Sequence, residues 1–199
     1  SGTLVLDTEG NLWQLGEGQP KTLFSDLKGA IGLWVEEGRP AILFKDRIER
    51  PDGRRVTLPF QATGGHPLPD GGCWVWGAAM AARISSEGAV LWSWSPPIGA
   101  PGPAVLAEGQ VFSTTSSGSL WALRDRDGKP RYAYRGGGSV VTPPTATGGL
   151  VVYASSDHMV RAVRARDGQL AWQFRASGRP SFGPYPVAAG LLVAEAGGR

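Results

Sequence analysis

Ala82, Gly88 and Trp92 are followed 40 residues later by Ala122, Gly128 and Tyr132, and after a further 40 by Ala162, Gly168 and Trp172. Three positions that hold the same kind of residue at an unvarying spacing define an internal repeat. A unit of this length cannot bury its own apolar face, so neighbouring copies must stack and cover one another. Solenoids, propellers and arrays satisfy that condition.

The content of each copy selects among them. Residues 104–135 divide into four strand-length runs: Ala104 to Gly109, Val111 to Gly118, Leu120 to an Asp127-Gly128 turn, and Arg131 to Arg135. Each is closed by turn chemistry, and no apolar set recurs at helical spacing, so a four-stranded antiparallel meander is predicted. Residues 145–174 copy it, with Gly109 and Gly149, Val111 and Val151, and Pro103 and Pro143 all 40 apart. Looser copies run from Gly72 to Trp94 and from Gly38 to Leu58. A partial one runs from Leu4 to Phe24, with Glu17-Gly18 as its turn and without an opening strand.

The fourth strands carry aromatic pairs two apart: Trp92/Trp94, Tyr132/Tyr134 and Trp172/Phe174. Residues i and i+2 of a strand share a face, so each sheet offers an aromatic ledge. Burying one ring removes about 150–250 Å² from water, an upper bound of about 4–6 kcal/mol. Sheets packed face to face around an axis cover each other's ledges, which predicts an all-β fold, a β-propeller of four-stranded antiparallel blades. Five fourth strands, near Phe24, Leu58, Trp94, Tyr134 and Phe174, predict five blades in a single domain over 1–199. The repeats fall near 3–28, 29–63, 64–102, 103–142 and 143–182, with closing strands at 183–199. Pro184 to Gly190 reads as an opening strand and Leu191 to Ala194 as a second strand, so both chain ends are expected to share one sheet, leaving no open edge. Leu4–Leu6 also reads as a second strand. Either the first segment is phased differently or the chain is cut from a larger propeller.

The run Ala162, Asp167-Gly168, Trp172 resembles the tryptophan-docking repeat of the pyrroloquinoline-quinone-type (quinoprotein-like) propellers, whose pattern is Ala-x-Asp-x-x-Thr-Gly-x-x-x-Trp. Residues 82–92 keep its Ala, Gly and Trp; residues 122–132 keep Ala and Gly with Tyr in place of Trp. The pattern's Asp is Ile84, Arg124 and Arg164 here, and its Thr is Glu87, Asp127 and Asp167. The likeness covers residues 72–199 well and 1–60 poorly. It implies that the Ala, Gly and Trp positions are structural and that the aromatic residue docks between adjacent blades. It also implies membership of the scaffold branch, similar to the outer-membrane assembly lipoprotein, and an extracytoplasmic location. The family's dehydrogenases have eight blades and hold quinone and calcium with Asp, Glu, Asn and often a vicinal disulfide, whereas this chain has one Cys and one Asn, Asn11. No cofactor is therefore expected.

The residues themselves point away from catalysis. The lone Cys73, between Gly72 and Trp74, reads as a small buried thiol and excludes an internal disulfide. His66 and His158 stand in turn-like contexts without a partner pattern. Asp125-x-Asp127 reads as a polar turn before Gly128 rather than a calcium loop, which needs six to eight oxygen ligands. Gly136-Gly-Gly138 has no Lys-Ser/Thr after it and reads as a crossing between blades, not a phosphate cradle. No Gly-x-Ser-x-Gly elbow occurs. No metal site is expected.

Charge and length bound the rest. The net charge of +3 conceals a balance of −2 over residues 1–100 and +5 over 101–199, yet the arginines of the second half alternate with aspartates at matching repeat positions. Solvated turn residues explain them, and no nucleic-acid partner is expected. No apolar run reaches the roughly 20 residues that span a bilayer. No signal peptide is recognisable, and the start at Ser1-Gly2 without an initiator Met is read as trimming.

The expected function is that of a non-catalytic interaction or scaffold module with a protein partner. Its surface is expected in four connections: Ser25–Leu33, Gln61–Gly72, Ser95–Pro103 and Gly136–Pro143. A carbohydrate- or small-ligand-binding propeller is the alternative. Trp92, Trp121 and Trp172 are assigned to docking in either case, which leaves Trp13, Trp34, Trp74 and Trp76, with Trp34 and Trp76 the foremost rings for stacking on a sugar. A quinone-binding oxidoreductase fragment is the third reading.

Overall fold

The computed structural model describes residues 3–16, 18–25, 27–36, 39–140, 142–187 and 190–196. Glu17, Gly38, Val141, Ala188 and Ala189, which the repeat reading uses, lie outside them. The described residues form 21 strands and no helix. They fall into two compact units, residues 1–63 and 64–199.

The first unit holds a three-stranded sheet, β1 (Thr3–Leu6), β2 (Leu12–Leu15) and β3 (Lys21–Phe24). It also holds a four-stranded one, β4 (Ala30–Glu36), β5 (Arg39–Phe44), β6 (Arg47–Glu49) and β7 (Arg55–Thr57). The β1–β2 turn is built by Asp7, whose carboxylate accepts from the Glu9 and Asn11 amides, the Asn11 side chain and the Trp13 indole N–H. Four donors hold it ionised, with a pKa lowered to about 2. The only asparagine of the chain is thus a turn residue.

The second unit repeats one sheet three times. Its blades are β8 (Ala62–Pro67) to β11 (Val90–Trp94), with β9 at Cys73–Gly77 and β10 at Ala81–Ile84; β12 (Pro101–Ala107) to β15 (Pro130–Arg135), with β13 at Gln110–Thr115 and β14 at Ser119–Arg124; and β16 (Thr145–Thr147) to β19 (Leu170–Arg175), with β17 at Leu150–Ala154 and β18 at Met159–Arg164. A hairpin of β20 (Arg179–Val187) and β21 (Gly190–Ala196) follows. Each blade is an up-and-down antiparallel meander, so the chain is an all-β protein of the β-propeller type.

Turn chemistry fixes the register. The first two strands of successive blades meet at Glu108-Gly109 and Gly148-Gly149, where all four residues have positive φ. That is the twist-matched two-residue hairpin. The third and fourth strands meet at Asp127-Gly128 and Asp167-Gly168, where the Asp carboxylates accept the amides of Lys129 and Gln169. The paired aspartates at 125 and 127 are turn residues, as read.

What sits on those turn glycines organises the unit. The ring of Trp92, from one blade, lies on Gly128 of the next, so a Cβ there would fall 2.5 Å from the indole. The Trp92 indole N–H donates to the Asp125 carbonyl at 2.5 Å. One repeat on, the Tyr132 ring lies on Gly168 and its hydroxyl donates to the Ala165 carbonyl. Burial drives the Tyr132 phenol up to about 12, keeping it a donor. Around these docks the interior fills with Trp74, Trp92, Trp94, Val111 and Leu123, then with Phe112, Leu120, Val151, Tyr153 and Val163. The indole of Trp121 leans on Trp94 at 5.8 Å between centroids, in the tilted geometry aromatic pairs prefer.

Ionic contacts reinforce the same seam. Arg83, 1% exposed, donates from Nε to Asp125 of the next blade at 2.9 Å, from a second nitrogen to Asp70, and from a third to the Ile84 carbonyl. Burying the guanidinium is tolerable because three acceptors receive it.

Three features differ from expectation. The unvarying Ala–aromatic spacing hides a one-residue slip: Tyr132 pairs with Ala122 and Trp172 with Ala162, but Trp92 pairs with Arg83, because the β10–β11 turn is one residue shorter. Trp172 was expected to be shielded, yet it is 39% exposed and Phe174 61%. The chain ends were expected to share one sheet. Instead β1 pairs with β2, β21 pairs with β20, and each belongs to a separate sheet. Two second-strand segments, as the sequence already hinted, do not merge into one four-stranded order.

Gly109 and Gly128 share a left-handed backbone, but a Cβ on Gly109 meets nothing within 4 Å. Gly109→Ala should therefore cost about 1–2 kcal/mol from backbone strain alone. Gly128→Ala and Gly168→Ala should each cost about 1–3 kcal/mol more, because the docked ring must shift. Urea denaturation of the three variants measures the difference.

Candidate functional site

Four connections from consecutive blades of the second unit converge on one end of their sheets. They are Ser95–Ala100, Ser116–Gly118, Gly136–Thr142 apart from Val141, and Ser156–His158. The backbone knits them together. Ser116 N–H donates to the Ala100 carbonyl at 2.9 Å, and the Ala100 amide returns a bond to Ser116 Oγ. Ser117 Oγ donates to the Ile98 carbonyl, and Ser139 Oγ to the Ser116 carbonyl at 2.6 Å. The Gly136 amide donates to the Gly118 carbonyl, and the Ser156 amide to the Ser139 carbonyl. The belt runs unbroken from one blade to the third.

Glycine makes this approach possible. A Cβ on Gly118 would strike the Gly138 carbonyl, and one on Gly138 would come within 2.7 Å of the Asp157 amide nitrogen. The Gly136-Gly-Gly138 run is a crossing between blades, as expected, and its three glycines are there for close packing. His158 occupies, at φ 66°, the left-handed position that Gly118 holds one repeat earlier.

Beneath the belt lies a buried ionic cluster. Arg161, 7% exposed, donates to both oxygens of Asp157 and to Ser155 Oγ. Asp157 also accepts from Ser155 Oγ and from the Met159 amide. The Arg161 guanidinium, followed by these hydrogen bonds, holds the Asp157 carboxyl down at about 2. Burial pushes the neighbouring Tyr153 phenol up, and its hydroxyl, which has no hydrogen-bond partner among the described residues, faces Gly136. The pair closes one hairpin, tying the Ser156–His158 connection to β18.

The belt rims an open concavity of about 200 Å³. Pro97, Ile98, Ser117, Ser119, Trp121, Arg135 and Gly136 line it. Ile98 is 66% exposed beside the hydroxyls of Ser117 and Ser119 and the Arg135 guanidinium.

The predicted residues are distributed as follows. Ala82, Ala122 and Ala162 are fully buried, and Trp92 is 9% exposed. Trp34 is buried, its indole N–H bound to Glu36 at 2.8 Å. Trp76 packs half-buried beside Gly64 and His66, 5.7 Å from the imidazole. Cys73 is buried and forms no disulfide. His66 lies in β8, not a loop: its Nε2 accepts the Ala104 amide at 3.1 Å while Nδ1 approaches the Pro67 carbonyl. Burial lowers its pKa, matching a neutral ring. Of the four expected loops, Ser95–Pro103 and Gly136–Pro143 contribute to the belt. Half of Gln61–Gly72 is strand β8, and Ser25–Leu33 runs into β4. Ser116–Gly118 and Ser156–His158 were missed, although the hydroxyl-rich Ser113-Thr-Thr-Ser-Ser117 was a visible signal.

This arrangement defines the class as a blade-docked β-propeller whose organised surface is a loop belt. The family model described as outer membrane protein assembly factor BamB matches residues 75–198, and the chain belongs to that family. No curated protein matches the sequence significantly. Among solved structures, BamB from Moraxella catarrhalis superposes with a TM-score of 0.67 at 15% identity, covering 75% of this chain and 49% of that one. BBS1N, solved in complex with ARL6DN, gives 0.72 at 14% identity, covering 89% and 62%. Quinohemoprotein alcohol dehydrogenase from Comamonas testosteroni gives 0.49 at 20% identity, covering 60% and 22%. The chain thus spans about half of the length of the first and about three-fifths of the second. No helix among the described residues is long and apolar enough to cross a membrane.

Because Asp157 is held ionised in the fold, its contribution to stability is complete above its unfolded pKa near 4. That contribution should vanish as pH falls from about 4 to 2. Asp157→Asn should lose about 2 kcal/mol at neutral pH and show a flatter profile over that acid range. Denaturation midpoints of the two proteins between pH 2 and 7 make the comparison.

Proposed function

We propose that this chain is a non-catalytic propeller module that holds a protein partner on the loop belt of its second unit. One observation carries the reading: the connections of three consecutive blades are hydrogen-bonded to one another into a single rigid surface, with Ile98 exposed at its rim. A preformed surface loses little conformational freedom on binding, which favours recognition over chemistry. Membership of the BamB family supports a role in assembly at the outer membrane, and with it an extracytoplasmic location. The BBS1N structure, solved in complex with ARL6DN, gives the same fold in a protein that carries a partner. In this reading the propeller is a scaffold, and the buried Arg161–Asp157 pair is a strut for its surface.

A photo-crosslinking side chain in place of Ile98, irradiated in an extract of the native source, should give a discrete protein adduct. Arg135→Glu should reduce that adduct about tenfold by inverting the rim charge. A chain that gives no protein adduct, but whose tryptophan emission responds to oligosaccharides at Trp121, is a carbohydrate-binding propeller, and the scaffold reading then falls.

A further inference from the structure

The concavity beside Ile98 occupies a place that the next seam of the same unit fills with its own charges. A step of 40 residues takes Ser117 to Asp157, Trp121 to Arg161 and Pro97 to Gly137. At the later seam Asp157 and Arg161 form an ion pair. A Cβ on Gly137 would lie 2.7 Å from that carboxylate and 3.5 Å from that guanidinium. At the earlier seam Pro97, Ser117 and Trp121 line the equivalent place, and about 200 Å³ stays open. The hydrogen bonds of the two turns match: Ser155 Oγ meets Asp157 at 2.6 Å, and Thr115 Oγ1 meets Ser117 Oγ at 2.9 Å. Ser117 thus stands where the following copy keeps a carboxylate.

The positive charge that such a carboxylate would answer is nevertheless present. Arg135 is the cross-strand partner of Ser119, and Trp121 follows Ser119 by two residues, so the three side chains share one face of the blade. All three line the concavity. Among the described residues, no hydrogen bond or ion pair engages the Arg135 guanidinium, the Ser119 hydroxyl or the Trp121 indole N–H. The described lining residues include no Asp or Glu. A concave patch with free donors and no acid is matched to an anion. One guanidinium balances one negative charge, which selects a carboxylate over a phosphate dianion. Pro97 and the exposed Ile98 border the same donors, so an aliphatic neighbour suits that anion. The belt continues past the concavity through Ser139 and Ser156, which gives a bound chain room to pass across rather than end there.

We propose that this concavity receives an acidic side chain from an extended segment of the partner protein. The carboxylate docks on Arg135 and the Ser119 hydroxyl, and an aliphatic side chain two residues away packs on Pro97 and Ile98. The partner gives Arg135 what Asp157 gives Arg161. The proposal rests on the scaffold reading and names the chemistry of the partner which that reading calls for.

The probe is a displayed library of random peptides selected on this chain, with the Arg135→Gln chain selected in parallel. Expected is enrichment of Asp or Glu with Leu, Ile or Val two residues away, present with the parent chain and absent with the variant. The best peptide should bind at least about tenfold more tightly than its counterpart with Asn or Gln in place of the acid. That comparison leaves the protein unaltered, so misfolding cannot imitate it. The proposal is overturned by a library that enriches nothing, by enriched peptides without an acid, or by equal binding of the acid and amide peptides. Tighter binding when phosphoserine replaces the acid also overturns it and assigns the site to a phosphorylated partner. If the Ile98 adduct forms equally well with Arg135→Gln, only this inference is lost and the scaffold reading stands. If no protein adduct forms at all, the scaffold reading falls and takes this inference with it.

Discussion

The contact between an aromatic ring of one blade and a bare glycine of the next is what the second unit depends on. A four-stranded sheet of 30 residues has two apolar faces and no interior of its own. Setting Trp92 on Gly128 and Tyr132 on Gly168 gives each face a neighbour at fixed height and angle. The indole or phenol proton then finds a backbone carbonyl at Asp125 or Ala165, so neither the buried donor nor the buried acceptor is left unpaired. Packing and hydrogen bonding are satisfied by the same two groups.

From that contact the loop belt follows. Because the blades are held at one spacing, their connections arrive at one level and can bond to each other. The hydroxyls of Ser116, Ser117 and Ser139 and the glycines at 99, 118, 136 and 138 then close the gaps. The Arg161–Asp157 pair beneath does the same for the last of these loops from below. Rigidity at the surface is inherited from rigidity between the sheets.

Much of this was legible in the residues. Turn glycines and aromatic pairs recur at a fixed spacing, and strand boundaries follow because positive-φ turns admit few residue types. The fourth strands near Phe24, Leu58, Trp94, Tyr134 and Phe174 all lie where the spacing put them. What escaped was set by tertiary packing. Gln61–Gly72 reads as a loop because it is rich in Gly and Pro, yet Gly64 is in a strand to make room for the Trp76 ring. The pairing of Trp92 with Arg83 escaped because spacing counts residues and not hydrogen bonds. Trp34 looked available for stacking, and only coordinates reveal Glu36 and the strand around it.

Each dock takes its ring from one repeat and its glycine from the next, and this has a consequence for how such chains can change in copy number. Removing or inserting 40 residues within the regular copies leaves each internal ring facing a glycine, since donor and acceptor halves are lost or gained in equal number. Growth and shrinkage of the array then need no redesign of the seam. A shift of even a few residues in the excised length would misplace ring against glycine at the join, so selection on length is far stricter than selection on where the cut falls.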